Sequence, residues 1–201
     1  MQHRNKYYVV YKPYGMVSQF SKLNARNSLS DLYRFPGDVY PVGRLDADSE
    51  GLLILTNDKK LNHMLLAPGF SRARTYLAQV EGNIKPADAK QLEKGVAITI
   101  RGKRYQTAPC KARPVNVPPG VPERIPPIRF RKTVPDSWVE IVLYEGKNRQ
   151  VRKMTAAVGF PTLRLIRWKI ELLSLKGMLP GAVVEYKQPE LFTLLKLMHD
   201  M

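Results

Sequence analysis

The chain has 201 residues, of which 33 are lysine or arginine and 17 are aspartate or glutamate, so its formal charge is +16. This excess of cations favours a polyanionic partner such as nucleic acid, which binds through its phosphates. The lack of an apolar run near the roughly 18 residues that span a bilayer argues against a membrane protein, and the single Cys110 excludes an internal disulfide and a cysteine-based zinc site.

The start of the chain has no signal-peptide core, so a cytoplasmic protein is expected. The first half of the chain alternates between strand and helix patterns. In chain order, the pattern predicts a strand at 7–11, a short helix capped by Ser28 or Ser30, extended segments at 40–44 and 52–55, and a helix capped by Thr56, Asn57 or Asp58 that carries Leu61, Met64 and Leu65.

The second half continues this alternation around one proline-rich, basic segment. The predicted elements are a strand at 74–82, a helix at 86–94 stopped by Gly95, a loop at 114–135, a strand at 137–144, a helix at 149–158 capped by Asn148, strands at 161–170 and 181–186, and a weak terminal helix or tail at 191–201. The loop is either a linker between domains or a stiff segment laid against phosphates.

An acid-rich turn stands out between two apolar segments of this basic chain. Asp46, Asp48 and Glu50 match the first half of a calcium-binding loop, but the twelfth position holds Asn57 where a bidentate glutamate is needed. A pair of glycosidase carboxylates and a solvated turn balanced by arginines are the other interpretations. Spacing alone cannot support the glycosidase pair, and a charge of +16 suits few neutral sugars.

Four motifs follow one another in a fixed order: Lys12-Pro13-Tyr14-Gly15, Gly43-Arg44-Leu45-Asp46, Arg74-Thr75-Tyr76 and the run EGKNRQVRKM at 145–154. Their content and order resemble the motif set of RNA pseudouridine synthases of the RsuA/RluE type, over about residues 7–167. Residues 126–167 resemble one branch, which modifies large-subunit (23S) ribosomal RNA. The resemblance implies an isomerase that detaches one uridine base from its N-glycosidic bond and rejoins it through carbon 5, with no metal or cofactor.

Carried onto this sequence, the resemblance assigns three catalytic residues. Asp46 matches the aspartate that acts on the target nucleotide, as a nucleophile or by initiating glycal formation. Arg152 matches the basic partner of that aspartate, which would lower its pKa. Tyr76 matches the tyrosine beside the target base. Arg44 matches the arginine that fills the stack after the uridine is extruded, a step that costs a few kcal/mol.

The resemblance and the charge pattern also suggest how RNA is held. Leu163 or Leu165 would line an apolar pocket wall, while Arg74 and Ser49 depart from the lysine and threonine that are usual in the family. The predicted RNA-binding residues are Arg44, Lys12, Lys147, Arg149, Lys153, Arg129, Arg131, Arg164 and Arg167, with Arg124 and Lys132 beside them.

The implied fold class is α+β, with a mixed, largely antiparallel central sheet, flanking helices and a central active-site cleft. Residues 1–201 are expected to form a single catalytic domain with two lobes and no amino-terminal S4 domain, acting as a monomer on large-subunit ribosomal RNA and not at a membrane. One alternative is a non-catalytic RNA-binding or ribosome-assembly protein of the same fold. A second alternative is a basic membrane-surface protein, but the sequence contains no amphipathic basic helix long enough for that role.

Overall fold

The structure is a computed structural model that describes residues 4–24, 26–67, 72–117, 120–129 and 133–197. The chain divides into two compact units, one made of Met1–Arg72 with Trp168–Met201 and the other of Ala73–Arg167. None of the helices within the described ranges is long and apolar enough to cross a membrane.

The first unit combines short helices with antiparallel strands. Its elements are β1 (Tyr7–Lys12), a 3-10 turn (Leu29–Asp31), β2 (Tyr40–Pro41), β3 (Glu50–Thr56), α1 (Lys59–Leu66), β10 (Leu173–Ser174), β11 (Val183–Tyr186) and α4 (Gln188–Leu194). Strand β1 pairs with β3 on one side and β11 on the other, and β2 pairs with β3. Every residue of β1 and β3 is buried.

Side chains from β1 and β3 form the centre of the first unit's core. Tyr8, Val10, Leu53 and Leu55 pack together with Leu29 of the 3-10 turn, and all are at most 3% exposed. Because residues on both faces of these strands are apolar, the segments read as continuous hydrophobic runs. This central pair of strands carries the acid-rich turn at its edge, immediately before β3.

One of the three predicted caps begins helix α1. The Asp58 side chain accepts hydrogen bonds from the backbone amides of Lys60 and Leu61, and Tyr7 donates its hydroxyl to the same carboxylate at 2.8 Å. The side chain therefore satisfies two amides that lack partners at the start of a helix.

The second unit contains a sheet, a separate hairpin and two helices. Its elements are β4 (Arg74–Glu81), α2 (Pro86–Glu93), β5 (Ala97–Ile100), β6 (Lys103–Gln106), β7 (Lys111–Val115), β8 (Asp136–Leu143) and α3 (Gln150–Ala157), and β9 (Thr162–Ile170) starts here and ends in the first unit. Strand β8 lies between β4 and β7, whereas β5 pairs only with β6.

The core of the second unit confirms the alternation read from the sequence. Val139, Ile141 and Leu143 of β8 are buried, and they pack with Val151 and Met154 from one stripe of α3. Every strand pair whose register is described is antiparallel. The predicted α+β class, with a largely antiparallel sheet and flanking helices, is therefore confirmed.

The predictions for residues 97–115 were wrong or incomplete in two respects. Residues 97–115 form three strands that were not anticipated, and Pro114 belongs to β7 instead of the predicted loop. Proline is tolerated there because β7 ends the described strand order and an edge strand has one side without a ladder partner. Gly95 ends α2 as expected. A larger residue would not fit there, because its Cβ atom would lie 2.3 Å from the Thr107 carbonyl oxygen.

Candidate active site

The acidic turn, residues 43–50, is held by its backbone on both sides of Asp46. The Ser18 hydroxyl donates to the Leu45 carbonyl at 2.8 Å and accepts from the Leu45 amide at 3.0 Å. Gly15 donates its amide to the Ala47 carbonyl at 2.7 Å. These bonds hold the peptides before and after Asp46 and do not involve its carboxylate, so the side chain is positioned through its own main chain.

Within the turn, exposure differs from one acidic residue to the next. The backbone carbonyl of Asp46 accepts the Ser49 amide at 3.0 Å, which closes the turn before β3. Asp46 and Asp48 are half-buried, while Ser49 and Glu50 are only 2% exposed. Arg44, the residue predicted to fill the vacated base stack, is exposed. Asp46, Asp48 and Arg44 are thus accessible, whereas Leu45, Ser49 and Glu50 of the same turn are buried.

Lys12 has a different setting from the predicted RNA contact. Its side chain is fully buried, and its ammonium donates to the carbonyls of Pro13 at 2.9 Å and Met16 at 2.7 Å. An ammonium enclosed in this way does not reach a phosphate on the surface, and the bonds shape the segment that carries Gly15 and Ser18. We therefore correct the role of Lys12 from RNA contact to support of the acidic turn.

In the second unit, Tyr76 of β4 lies beside Arg167 of β9. The two side chains are hydrogen-bonded, with the guanidinium donating to the phenol oxygen. Burial lowers the pKa of Arg167, Tyr76 raises it and nearby Arg74 lowers it. Because Arg167 is only 6% exposed, its structural position favours holding Tyr76 over the predicted contact with RNA phosphates.

Arg152 projects from α3 and is half-buried. Its Nη1 atom donates to the Thr162 carbonyl at 3.3 Å, where β9 begins. A hydrogen bond between the hydroxyls of Thr155 and Thr162, at 2.7 Å, joins the same helix and strand. The orientation of Arg152 is therefore linked to the start of β9.

The segment before α3, residues 145–149, is the Glu145 loop and is organised by one carboxylate. Glu145 accepts hydrogen bonds from the Tyr105 hydroxyl at 2.5 Å, the Ala108 amide at 2.9 Å and the Gln150 side chain at 2.6 Å. Burial raises the pKa of Glu145, but these bonds and the nearby Lys147 together leave it below its usual value.

The beginning of α3 differs from the prediction. The cap position is Arg149, in the left-handed conformation at φ 53° and ψ 33°, and not Asn148. The Gln150 side chain accepts the Lys147 amide at 2.9 Å, which closes the loop without a capping side chain at Asn148. This conformation leaves Lys147 and Arg149 exposed.

The remaining predicted site residues fall into three settings. Arg164 is 4% exposed, donates to the Pro122 carbonyl at 2.8 Å and lies over the Trp138 ring, so its guanidinium is engaged within the protein. Arg129 is exposed and Lys153 half-buried, while Arg131 and Lys132 lie outside the described residues. Arg124 donates to two carbonyls of its own loop, those of Pro126 and Pro127.

The two candidate pocket residues are distinguished by burial. Leu165 packs into the core of the second unit, whereas Leu163 stays partly exposed. Side chains alternate along a strand, so Leu163, Leu165 and Arg167 belong to the same face of β9 and only burial separates the two leucines. Leu163 is therefore the better placed of the two to contact a ligand.

Sequence reasoning missed the residues that hold these segments. Ser18 and Tyr105 belong to no catalytic motif, and nothing in their immediate sequence indicates the atoms they contact. Gln150 does lie in a motif, but its two hydrogen bonds depend on the fold of the loop. Within the described ranges, no group of three or more histidine, cysteine, aspartate or glutamate side chains could hold a metal ion.

Comparison with known proteins gives a consistent result. Residues 6–157 match the family model described as RNA pseudouridylate synthase. The chain is 46% identical to ribosomal large subunit pseudouridine synthase E of Xanthomonas axonopodis pv. citri, over 81% of this chain and 87% of that protein. It is 43% identical to the protein of the same name from Vibrio parahaemolyticus, over 90% of this chain and 73% of that protein.

A solved structure described as a pseudouridylate synthase matches with a TM-score of 0.74 and 25% identity, covering 95% of this chain and 74% of the other. The family model spans more than half of the chain, and it includes the acidic turn, Tyr76 and Arg152. The chain therefore belongs to the RNA pseudouridylate synthase family.

Proposed function

We propose that this protein converts one uridine of large-subunit ribosomal RNA to pseudouridine. The observation that carries the proposal is the acidic turn, in which backbone bonds on both sides of Asp46 position a half-buried carboxylate in an otherwise basic protein. The names of the two bacterial relatives, which are similar over most of their length, support the choice of large-subunit RNA.

The proposed reaction moves the base without adding or losing atoms. The bond between C1′ of the ribose and N1 of uracil breaks, a bond from C1′ to C5 forms, C5 loses a proton and N1 gains one. Asp46, ionised, acts first on the target nucleotide as nucleophile or by initiating glycal formation. Arg152 supports the negative charge, and Tyr76, held by Arg167, contacts the base and assists proton transfer.

Access to the uridine requires its extrusion from the stack, and Arg44 occupies the space that the base leaves. The exposed or half-buried cations that contact phosphates in this proposal are Lys147, Arg149, Lys153 and Arg129. Leu163 lines the base pocket. The enzyme is proposed to act as a monomer in the cytoplasm, where its RNA substrate is found.

The test compares two conservative variants of the same turn, Asp46→Asn and Asp48→Asn. Each removes one half-buried carboxylate with little change in shape. Pseudouridine is mapped by carbodiimide chemistry or mass spectrometry in unmodified large-subunit ribosomal RNA and in ribosomal particles. We expect Asp46→Asn to lower the rate by at least about 10³-fold while RNA binding is retained, and Asp48→Asn to stay within about tenfold of wild type.

Turnover by Asp46→Asn at the wild-type rate would contradict the assignment of Asp46. If the wild-type protein itself formed no pseudouridine on either substrate but bound the RNA, the proposed reaction would be wrong. A non-catalytic RNA-binding protein with the same fold would then be the better description.

A further inference from the structure

The hairpin of β5 and β6 is an exposed, purely cationic element outside the motifs discussed above. Arg101, Lys103 and Arg104 lie at or beside its turn, and all three side chains are exposed. Residues 97–106 contain no aspartate or glutamate. The hairpin thus presents three positive charges without a neutralising residue of its own.

The turn keeps a cation at a conformational cost. Ile100 pairs with Lys103, which leaves a two-residue loop of Arg101 at φ 49° and Gly102 at φ 77°. Positive φ at both positions is the geometry for which asparagine and glycine are preferred, and a side chain such as arginine costs roughly 1 kcal/mol there. The turn itself does not require arginine, so its charge calls for another explanation.

Two carboxylates of the second unit, Glu145 and Glu140, have other partners than these cations. Glu145 is occupied by its bonds to Tyr105, Ala108 and Gln150, and Glu140 pairs with Arg113 at 2.8 Å. Within the part of the chain that the structure describes, no hydrogen bond or ion pair involves the side chains of the three hairpin cations. Their charge is available to an external anion.

The hairpin is also firmly attached to the second unit. Ile98 is buried in the core, and the Tyr105 ring packs against that core while its hydroxyl is bound by Glu145. The Lys147 ammonium lies 5.0 Å from the centre of the Tyr105 ring. Tyr105 therefore connects the hairpin directly to the Glu145 loop, which carries the cations Lys147 and Arg149.

We propose that the β5–β6 hairpin is a second RNA-binding element, in which Arg101, Lys103 and Arg104 contact phosphates of the substrate beyond those reached by Lys147 and Arg149. Rigid attachment lowers the entropy cost of presenting the cations, and the contacts are independent of base sequence. The inference rests on the proposed RNA substrate, but it concerns binding and not the chemical step.

The test uses two triple variants with the same change in charge. The hairpin variant is Arg101→Gln, Lys103→Gln and Arg104→Gln; the control is Lys85→Gln, Lys90→Gln and Lys94→Gln, three exposed lysines on or next to α2 of the same unit. Dissociation constants for a transcript of large-subunit ribosomal RNA are measured over a range of salt concentrations, after circular dichroism has established folding.

We expect the hairpin variant to bind roughly tenfold or more weakly than the control near physiological salt, with the slope of log affinity against log salt reduced by about 2 to 3. Equal affinities and slopes for the two variants would overturn the proposal. If the triple hairpin variant fails to fold, the double variant Lys103→Gln and Arg104→Gln, which leaves the turn unchanged, is compared with Lys90→Gln and Lys94→Gln under the same criteria.

Pseudouridine formation by the wild-type protein is measured on the same transcript and in ribosomal particles. If the proposed function is wrong, the wild-type protein will bind the transcript without forming pseudouridine. Failure of the hairpin inference would appear as equal binding by the hairpin and control variants, whether or not product forms.

Discussion

The acidic turn and the Glu145 loop both precede a regular element and both contain a carboxylate, yet they are held in opposite ways. In the acidic turn, the bonds come from the Ser18 hydroxyl and from backbone groups. In the Glu145 loop, the carboxylate itself collects three donors. The bonds described in the first segment are made by its backbone, whereas those in the second are made by the Glu145 carboxylate.

This difference teaches how two acidic residues in similar motifs take separate roles. A carboxylate that accepts several hydrogen bonds from its own protein is stabilised in one orientation and serves as a structural anchor. A carboxylate whose backbone is fixed by neighbouring groups can be directed at a substrate. The comparison therefore predicts that mutations of the two segments separate activity from stability.

Among the variants that test this comparison, Ser18→Ala should have the largest effect, because it removes both side-chain bonds to Leu45 next to Asp46. We expect the rate of pseudouridine formation to fall about 10- to 100-fold through misplacement of the carboxylate, with a loss of unfolding free energy of about 1–3 kcal/mol. RNA binding should be unchanged. Ser30→Ala, which removes an exposed hydroxyl bonded to the Phe20 carbonyl, is the control. Wild-type turnover by Ser18→Ala would show that catalysis does not require the hydrogen bonds between Ser18 and Leu45.

Glu145→Gln should lower the stability of the second unit more than that of the first. Glutamine removes the negative charge that strengthens all three bonds and leaves one acceptor oxygen, so either a donor loses its acceptor or the Tyr105 hydroxyl must turn to accept. We expect the free energy of unfolding to fall by about 1–3 kcal/mol in urea denaturation. Glu140→Gln carries the same substitution at an ion pair with the exposed Arg113 and should cost less than about 1 kcal/mol. Equal losses for the two variants would contradict the anchoring role of Glu145.

Tyr105→Phe isolates a single bond of the same network. It keeps the ring below Lys147 and removes only the hydroxyl donated to Glu145, so the expected loss is about 0.5–1.5 kcal/mol. The exposed Tyr144→Phe is the control and should leave the unfolding free energy nearly unchanged. A larger loss from the control would place the effect outside the network.

The smallest expected effect is a dependence of stability on pH. The folded pKa of Glu145 lies below its ordinary value of 4.5, so the ionised group stabilises the folded state fully above that value. This contribution is lost as pH falls from 4.5 through the folded pKa. The difference in unfolding free energy between wild type and Glu145→Gln should therefore narrow in that window. A difference that widened there would contradict the direction of the shift.

Much of the fold could be predicted because its signals are local. Alternation identified β8 through Val139, Ile141 and Leu143, and the apolar stripe of α3 was placed correctly. Strand β5 was missed because it has only four residues, and β6 and β7 were missed because they are short and carry charged residues or a proline. Asn148 was chosen as a cap from its residue type, whereas the observed start depends on bonds from Gln150, whose orientation is set by the loop.

The candidate site could be predicted only in part, and for a related reason. Motif order located Asp46, Tyr76 and Arg152 along the chain, and their roles stay predictions until the variants are measured. Charge alone suggested that Lys12, Arg164 and Arg167 contact RNA, but a residue's charge does not reveal its burial. The structure encloses all three side chains and gives them partners within the protein.

The sequence by itself determined the basic character of the protein, the order of the motifs and most of the regular elements, because these depend on residue type and on spacing within a few residues. Only the tertiary structure decided that Ser18 holds Leu45, that Glu145 is bound by Tyr105, and that Tyr105 connects the cationic hairpin to the loop that carries Lys147. Ser18 and Leu45 are 27 positions apart in the sequence, and Tyr105 and Glu145 are 40 positions apart. The burial of a charged side chain likewise depends on the removal of water from around it. Both arise when the chain folds.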